Sequence, residues 1–119
     1  MKEVTTENLE ECTPLEIIDF VEAKLTEQGC QSKNEKGECL YRGPNNTKCG
    51  IGHIISDEKY REDMEGRDII GLIIKDLFPE TKHKSLLRDI QMIHDSEPAS
   101  DWPIYFSRLR KTYLDCYKD

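Results

Sequence analysis

The stretch Glu38-Cys-Leu-Tyr-Arg-Gly-Pro-Asn-Asn-Thr-Lys-Cys-Gly-Ile-Gly-His53 constrains this chain most, because turn chemistry, side-chain alternation and reactive groups coincide there. Gly43-Pro44-Asn45-Asn46 predicts a tight turn, since Pro sets φ at one corner and Gly or Asn accepts a left-handed corner at little steric cost. Strands folding back about it would set Cys39 opposite Cys49 and Tyr41 opposite Thr47. Cys39, Tyr41, Thr47, Cys49 and Ile51 would then share an inner face, with Leu40, Arg42, Lys48 and Gly50 on the other. A lone hairpin is marginal in water, so it must pack on helices or recruit a third strand, for which Ile54-Ile55 is the candidate.

Helical periodicity dominates elsewhere. Residues 1–12 are acidic, lack periodicity and are expected to fray as a flexible N-terminus. Thr13-Pro14-Leu15-Glu16 has the hydroxyl, the early Pro and the third-position Glu of a helix start. Leu15, Ile17, Ile18, Phe20, Val21 and Leu25 form the following stripe, and Gly29 stops it. Gln31 to Gly37 is polar with a Lys-Gly turn. Ser56 predicts a short helix to about Met64, closed by Gly66. Asp68 to Phe78 predicts another, carrying Ile69, Leu72, Ile73 and Leu77 and ended by Pro79. Lys84 to His94 follows with Leu86, Leu87, Ile90 and Ile93. After the punctuation Pro98-Ala-Ser-Asp101, a cap at Ser100 or Asp101 opens a last helix with Trp102, Phe106, Leu109, Tyr113 and Cys116 or Tyr117 inward; Pro103 falls in its first turn, where its missing amide is harmless. The expected fold class is α+β: a mainly α-helical single domain over 13–119, of four to five short helices with one β-hairpin.

Charge and hydropathy narrow the partners. The apolar fraction is 36% and the charged fraction 34%, so the core must come from narrow stripes on amphipathic elements. Residues 1–40 hold ten acids against four Lys (net −6) and residues 41–119 fourteen against thirteen (net −1), which together make the chain's −7. Such a field repels phosphate backbones and anionic lipid, which argues against duplex nucleic acid and membrane as partners. Arg108-Leu-Arg-Lys111 is the best basic patch, and it is short. No apolar run approaches the roughly 18 residues that span a bilayer, and Met1 to Glu7 lacks a hydrophobic signal region. The expected site of action is the cytoplasm, where the five cysteines read as thiols rather than a disulfide framework.

Cys39-Leu-Tyr-Arg-Gly-Pro44, Cys49-Gly-Ile-Gly52, Ile54-Ile-Ser-Asp57, Tyr60, Met64-Glu-Gly66, Ile90-Gln-Met-Ile-His-Asp95 and Trp102 together resemble a widespread group of small uncharacterised proteins of tailed phages, prophages and bacteria. The resemblance spans roughly residues 30 to 110, and the order and spacing of its elements make it more specific than any one short motif. Gly50 stands where that pattern has Ala, and Asn45-Asn46 where it has Asp-Gly. The resemblance implies phage or prophage origin, host cytoplasm as the compartment and a host component as partner; it implies no reaction.

Site chemistry offers several readings, none of them carrying a catalytic motif, so a non-enzymatic role is expected. Arg42 at the turn, beside Asn45 and Asn46 and close to Tyr41 and Tyr60, suits recognition of a carboxylate on a host protein. His94 and Trp102 flank one loop; with Arg42 they suit a small anionic metabolite or signalling nucleotide, at a pocket completed by a second subunit, and the oligomeric state stays open. Zinc is the third reading: Cys39, Cys49 and His53, with Cys30 as fourth ligand, have the right donors but lack the paired Cys-x2-Cys knuckle. A Cys/His nucleophilic pair lacks an oxyanion donor set. Gly50-Ile-Gly52 before Ser56 is a poor phosphate loop, because Asp57 and Glu58 would stand where the phosphate sits.

Overall fold

The computed structural model describes residues 1–115. Helix α1, Pro14–Gln28, starts with a complete capping box: the Glu16 amide donates to Thr13 Oγ1 (3.2 Å) and the Thr13 amide to Glu16 Oε1 (2.8 Å). It ends at Gly29, whose φ of 77° is cheap only for a residue without Cβ. Its stripe of Ile17, Ile18, Phe20, Val21 and Leu25 is buried. Helices α2 (Gly50–Ile54), α3 (Ile69–Ile74), α4 (Lys84–Ser96) and α5 (Trp102–Asp115) complete the set, with short 3-10 turns at Leu9–Glu11, Pro44–Asn46, Glu62–Met64 and Ala99–Asp101. α1 packs against α2 and α5, and α4 against α2, α3 and α5, so α2 lies between the two long helices α1 and α4.

The hairpin is not formed, and the class is mainly α rather than α+β. Among the described residues the only ladder pairing is an isolated antiparallel bridge between Lys33 and Cys39. The turn itself exists: Asn45 and Asn46 take φ of 58° and 62°, and the Gly43 amide donates to the Thr47 carbonyl (2.8 Å). Beyond that bond its arms part. The second arm winds into α2, capped by Cys49, whose Sγ accepts from the Gly52 amide (3.3 Å). Ile51, Ile54 and Ile55, spaced for a helix, bury themselves fully or nearly so. The reason is packing of the two glycines. A Cβ on Gly50 would sit 2.6 Å from Ile90 Cγ2 and 3.2 Å from Val21 Cγ1, and one on Gly52 would collide with the Tyr41 carbonyl. Read locally these glycines mark a strand exit; in the folded chain they admit a helix between α1 and α4.

Three further boundaries differ. Ser56 to Tyr60 is a single turn, the Lys59 and Tyr60 amides both donating to the Ser56 carbonyl, rather than a helix to Met64. α3 stops at Ile74 because Asp76 turns left-handed (φ 59°), which lets Leu77 bond back to Leu72. α5 opens from a 3-10 turn, with no separate cap at Ser100. The stripe positions Cys116 and Tyr117 lie outside the described residues. Within residues 1–12, Val4, Leu9 and Cys12 are buried, the Thr6 amide donates to the Ile54 carbonyl (3.1 Å), and Glu10 accepts from the Thr81 hydroxyl. Among the described residues no helix is long and apolar enough to cross a membrane.

Gly52→Ala is expected to lower unfolding free energy by about 3 kcal/mol, because its Cβ meets backbone, whereas Gly50→Ala meets side-chain ends that can shift and costs about 1 kcal/mol. Urea unfolding of the two variants measures the difference, and equal losses would contradict the packing described.

Candidate functional site

Helix α4 presents Arg88, Gln91, Met92 and Asp95 at spacings of three and four, so they share one face. Opposite lie the strandless segments Cys39–Tyr41 and Gly66–Asp68. Between them is a cleft of about 450 Å³, with Cys49 also on its lining. What holds the far wall in place is one carboxylate. Glu65 Oε1 accepts the Tyr41 amide (2.8 Å), while Oε2 accepts the Arg42 amide (3.1 Å) and the Tyr60 hydroxyl (2.7 Å). The Tyr41 hydroxyl donates to the Arg67 carbonyl and accepts from Gln91 Nε2 (3.0 Å), and Gln91 Oε1 accepts the Ile69 amide at the start of α3 (3.0 Å). Burial of the Tyr41 ring pushes its phenol pKa up, so the hydroxyl stays a donor.

At one end of the cleft the side chains of Cys39, His94 and Asp95 converge, their ligand atoms all within 4.8 Å of one another. Hydrogen bonding fixes the His94 tautomer. The Ser32 amide donates to His94 Nε2 (3.0 Å), so that nitrogen carries the lone pair and Nδ1 the proton, which it gives to Asp95 Oδ1 (2.7 Å). Asp95 also accepts from the Cys39 thiol, and burial together with this bond pushes that thiol up to about 12. Cys39 is therefore held as a thiol rather than a thiolate, and its imidazole neighbour points its proton at the same carboxylate, so the group is no nucleophile–base pair. A zinc ion would need the His94 Nδ1 lone pair while Nε2 donated outward; here Nε2 accepts, so the surroundings have the wrong polarity for a metal.

The residues singled out in the sequence divide into those the fold joins and those it separates. Cys39, Tyr41 and Cys49 line the cleft, and His94 lies directly behind it, stacked on Trp102 (centroids 5.7 Å apart). Trp102 Nε1 donates to the Glu97 carbonyl (3.1 Å) and is 3% exposed, so it anchors α5. Arg42 is not free at a tip. Its guanidinium bonds Asp57 (2.7 Å) and the Ile55 carbonyl (2.8 Å) and lies 4.8 Å over the Tyr60 ring. Asn45 is exposed in its turn, apart from that group. The expected zinc set does not assemble: Cys49 is the buried cap of α2, Cys30 is exposed, and His53 bonds Gln28 Oε1 (3.1 Å). Gln28 is thereby a clamp, since it also takes the Lys48 amide (2.8 Å) and donates to the Lys48 carbonyl (2.9 Å).

Sequence reasoning missed Arg67 and Arg88. Both are exposed at the cleft, on opposite walls, and neither is ion-paired among the described residues; Arg67 Nε donates only to the Asp63 carbonyl (3.0 Å). No local motif marks them. Glu65, Gln91 and Asp95 sat inside the quoted pattern, where each was readable only as a spacer or a turn residue. Comparison with family models, curated proteins and solved structures finds no match.

Alkylation should separate the thiols. Because the thiolate alone is the nucleophile, exposed Cys30 is expected to react with iodoacetamide at pH 8 about tenfold faster than Cys39, or more. Peptide mass spectrometry reads the ratio, and equal rates would contradict the bonding described. The pH response of stability is set partly by His53, which burial pushes down to about 4 from the usual 6.5. Its native form stays neutral where the unfolded form already binds a proton, so stability is full above pH ~6.5 and falls as the pH is lowered toward ~4. His53→Gln should flatten that slope in urea titrations at pH 7 and pH 5, with buried His83, also pushed down by burial, carrying the remainder.

Proposed function

We propose that this is a non-enzymatic binding protein whose cleft between α4 and the Cys39–Tyr41 and Gly66–Asp68 segments takes a small anionic ligand, a phosphorylated metabolite or a nucleotide. The observation that carries the reading is the pair of guanidiniums, Arg67 and Arg88, on opposite walls with no carboxylate partner among the described residues. Guanidinium suits phosphate and carboxylate through paired, planar donors. The cleft's volume falls in the range of small-ligand sites, and its floor supplies polar atoms of Tyr41 and Gln91 for orientation. The Cys39, His94 and Asp95 side chains are tied to one another and to backbone by ground-state hydrogen bonds, which supports binding over turnover.

A second reading, a host protein laying an acidic side chain into the same cleft, is favoured by Met92, which stands 59% exposed at the cleft edge and offers apolar area that a small ligand would not cover. It accords with the phage-type pattern, and its compartment would be host cytoplasm. The zinc reading gains no support from the protonation pattern of His94.

Thermal shift against inorganic phosphate, citrate and a nucleotide panel tests the proposal. A ligand at about a hundred times its Kd adds roughly 2.7 kcal/mol, a rise of several degrees. The rise should vanish in the Arg67→Ala/Arg88→Ala double variant. A flat panel removes the small-ligand reading; a host protein captured by the wild type and lost with Met92→Glu would then support the second.

A further inference from the structure

Helix α3 is Ile-Ile-Gly-Leu-Ile-Ile, apolar at all six positions, yet only Ile69 and Leu72 are buried. Ile70 and Ile73 remain half-exposed, and Ile74 is 76% exposed. A helix apolar on every side ordinarily lies in a core, but α4 covers one side of this one and solvent the other. The charges around it are arranged symmetrically. Arg67-Asp68 precedes the six residues and Lys75-Asp76 follows them, each pair a base then an acid. None of these four side chains is in an ion pair among the described residues; Asp68 bonds the Gly71 amide (2.7 Å) and Arg67 the Asp63 carbonyl (3.0 Å).

We infer that the exposed side of α3 docks on the α3 of a second copy of this chain, the two helices antiparallel about a two-fold axis. The charge order selects both the occupant and the direction. Run antiparallel, the leading pair of one copy lies against the trailing pair of the other, so Arg67 meets Asp76 of the second copy and Lys75 meets its Asp68. Run parallel, each charge would meet its own kind. A two-fold contact requires a surface complementary to itself, and a base-acid pair at each end of an apolar centre meets that requirement. The two helix dipoles also oppose in this arrangement. Ile70, Ile73 and Ile74 then supply the apolar area between the two sets of charges. Arg67 stands at both this surface and the cleft, so the second copy comes close to the cleft's Gly66–Asp68 wall.

Sedimentation velocity of the full chain from about 5 to about 500 µM tests this, since self-association is concentration-dependent by mass action. The expected result is a monomer–dimer equilibrium within that range. Ile74→Asp, at an exposed position, should weaken it about tenfold or more, equivalent to roughly 1.4 kcal/mol, with circular dichroism and melting temperature showing the fold intact. Asp76→Lys should weaken it and become more harmful at low salt, and the exchanged variant Arg67→Asp/Asp76→Lys should restore association. A chain that stays monomeric throughout overturns the inference, as does a dimer indifferent to Ile74→Asp. A dimer weakened by Ile74→Asp, but whose loss in Asp76→Lys is not recovered by adding Arg67→Asp, overturns the antiparallel arrangement.

Discussion

The structure depends on the Glu65 carboxylate more than on any other single group. Some twenty residues between α1 and α2, and fourteen between α2 and α3, have almost no ladder or helix to satisfy their backbone. Such segments stay in place only if side chains take over the hydrogen bonding. Glu65 accepts two consecutive amides and a phenol from two separate points of the chain, each a charge-assisted bond worth about 1.5–3 kcal/mol net. Through Tyr41 that arrangement reaches Arg67, Gln91 and the first amide of α3. Arg42, stretched over the Tyr60 ring and bonded to Asp57, closes it on the outer side. The loops are thus fastened to α4 by polar contacts, while the apolar core beneath is built by α1, α2, α4 and α5.

Function follows from which groups this fastening leaves over. Tyr41, Arg42, Tyr60, His94 and Trp102 are nearly all engaged with the protein itself. His94 is caught between the Ser32 amide and Asp95, and Trp102 is stacked behind it. A site meant for proton transfer would present an imidazole with one nitrogen open toward substrate and a neighbour of matched pKa. Here both nitrogens are bonded and the nearest thiol is held protonated. Within one copy of the chain, Arg67 and Arg88 are the charged donors at the cleft with no ion-pair partner among the described residues, which is what supports the proposed binding of an anion.

Much of the helical framework was readable locally. Thr13-Pro14-Leu15-Glu16 announces α1 and Gly29 ends it; Leu86, Leu87, Ile90 and Ile93 announce α4; the turn at Gly43–Asn46 is where its residues require it. Cys49–Ile55 was the failure, and its cause is specific. Alternation from Cys39 to Ile51 fits a strand pair, and Gly50 and Gly52 disfavour helix by about 1 kcal/mol each. Only the nearness of Ile90, Val21 and the Tyr41 carbonyl turns those glycines into a reason for a helix. Arg67 and Arg88, twenty-one residues apart, become a pair through the packing of α3 on α4 and through nothing nearer in the chain.

By itself the sequence determined the caps, the turns and the apolar stripes, because these are set by interactions within about four residues: side chain to neighbouring amide, φ at a corner, one helix face. Tertiary structure decided what Gly50-Ile-Gly52 becomes, that Arg42 is spent on Asp57, that a carboxylate at 65 holds amides at 41 and 42, and which cations flank a cleft. Those outcomes depend on contacts between residues far apart in the chain, and local propensities of about a kcal/mol or less are overruled by burial and by the need to pair every backbone amide that burial removes from water.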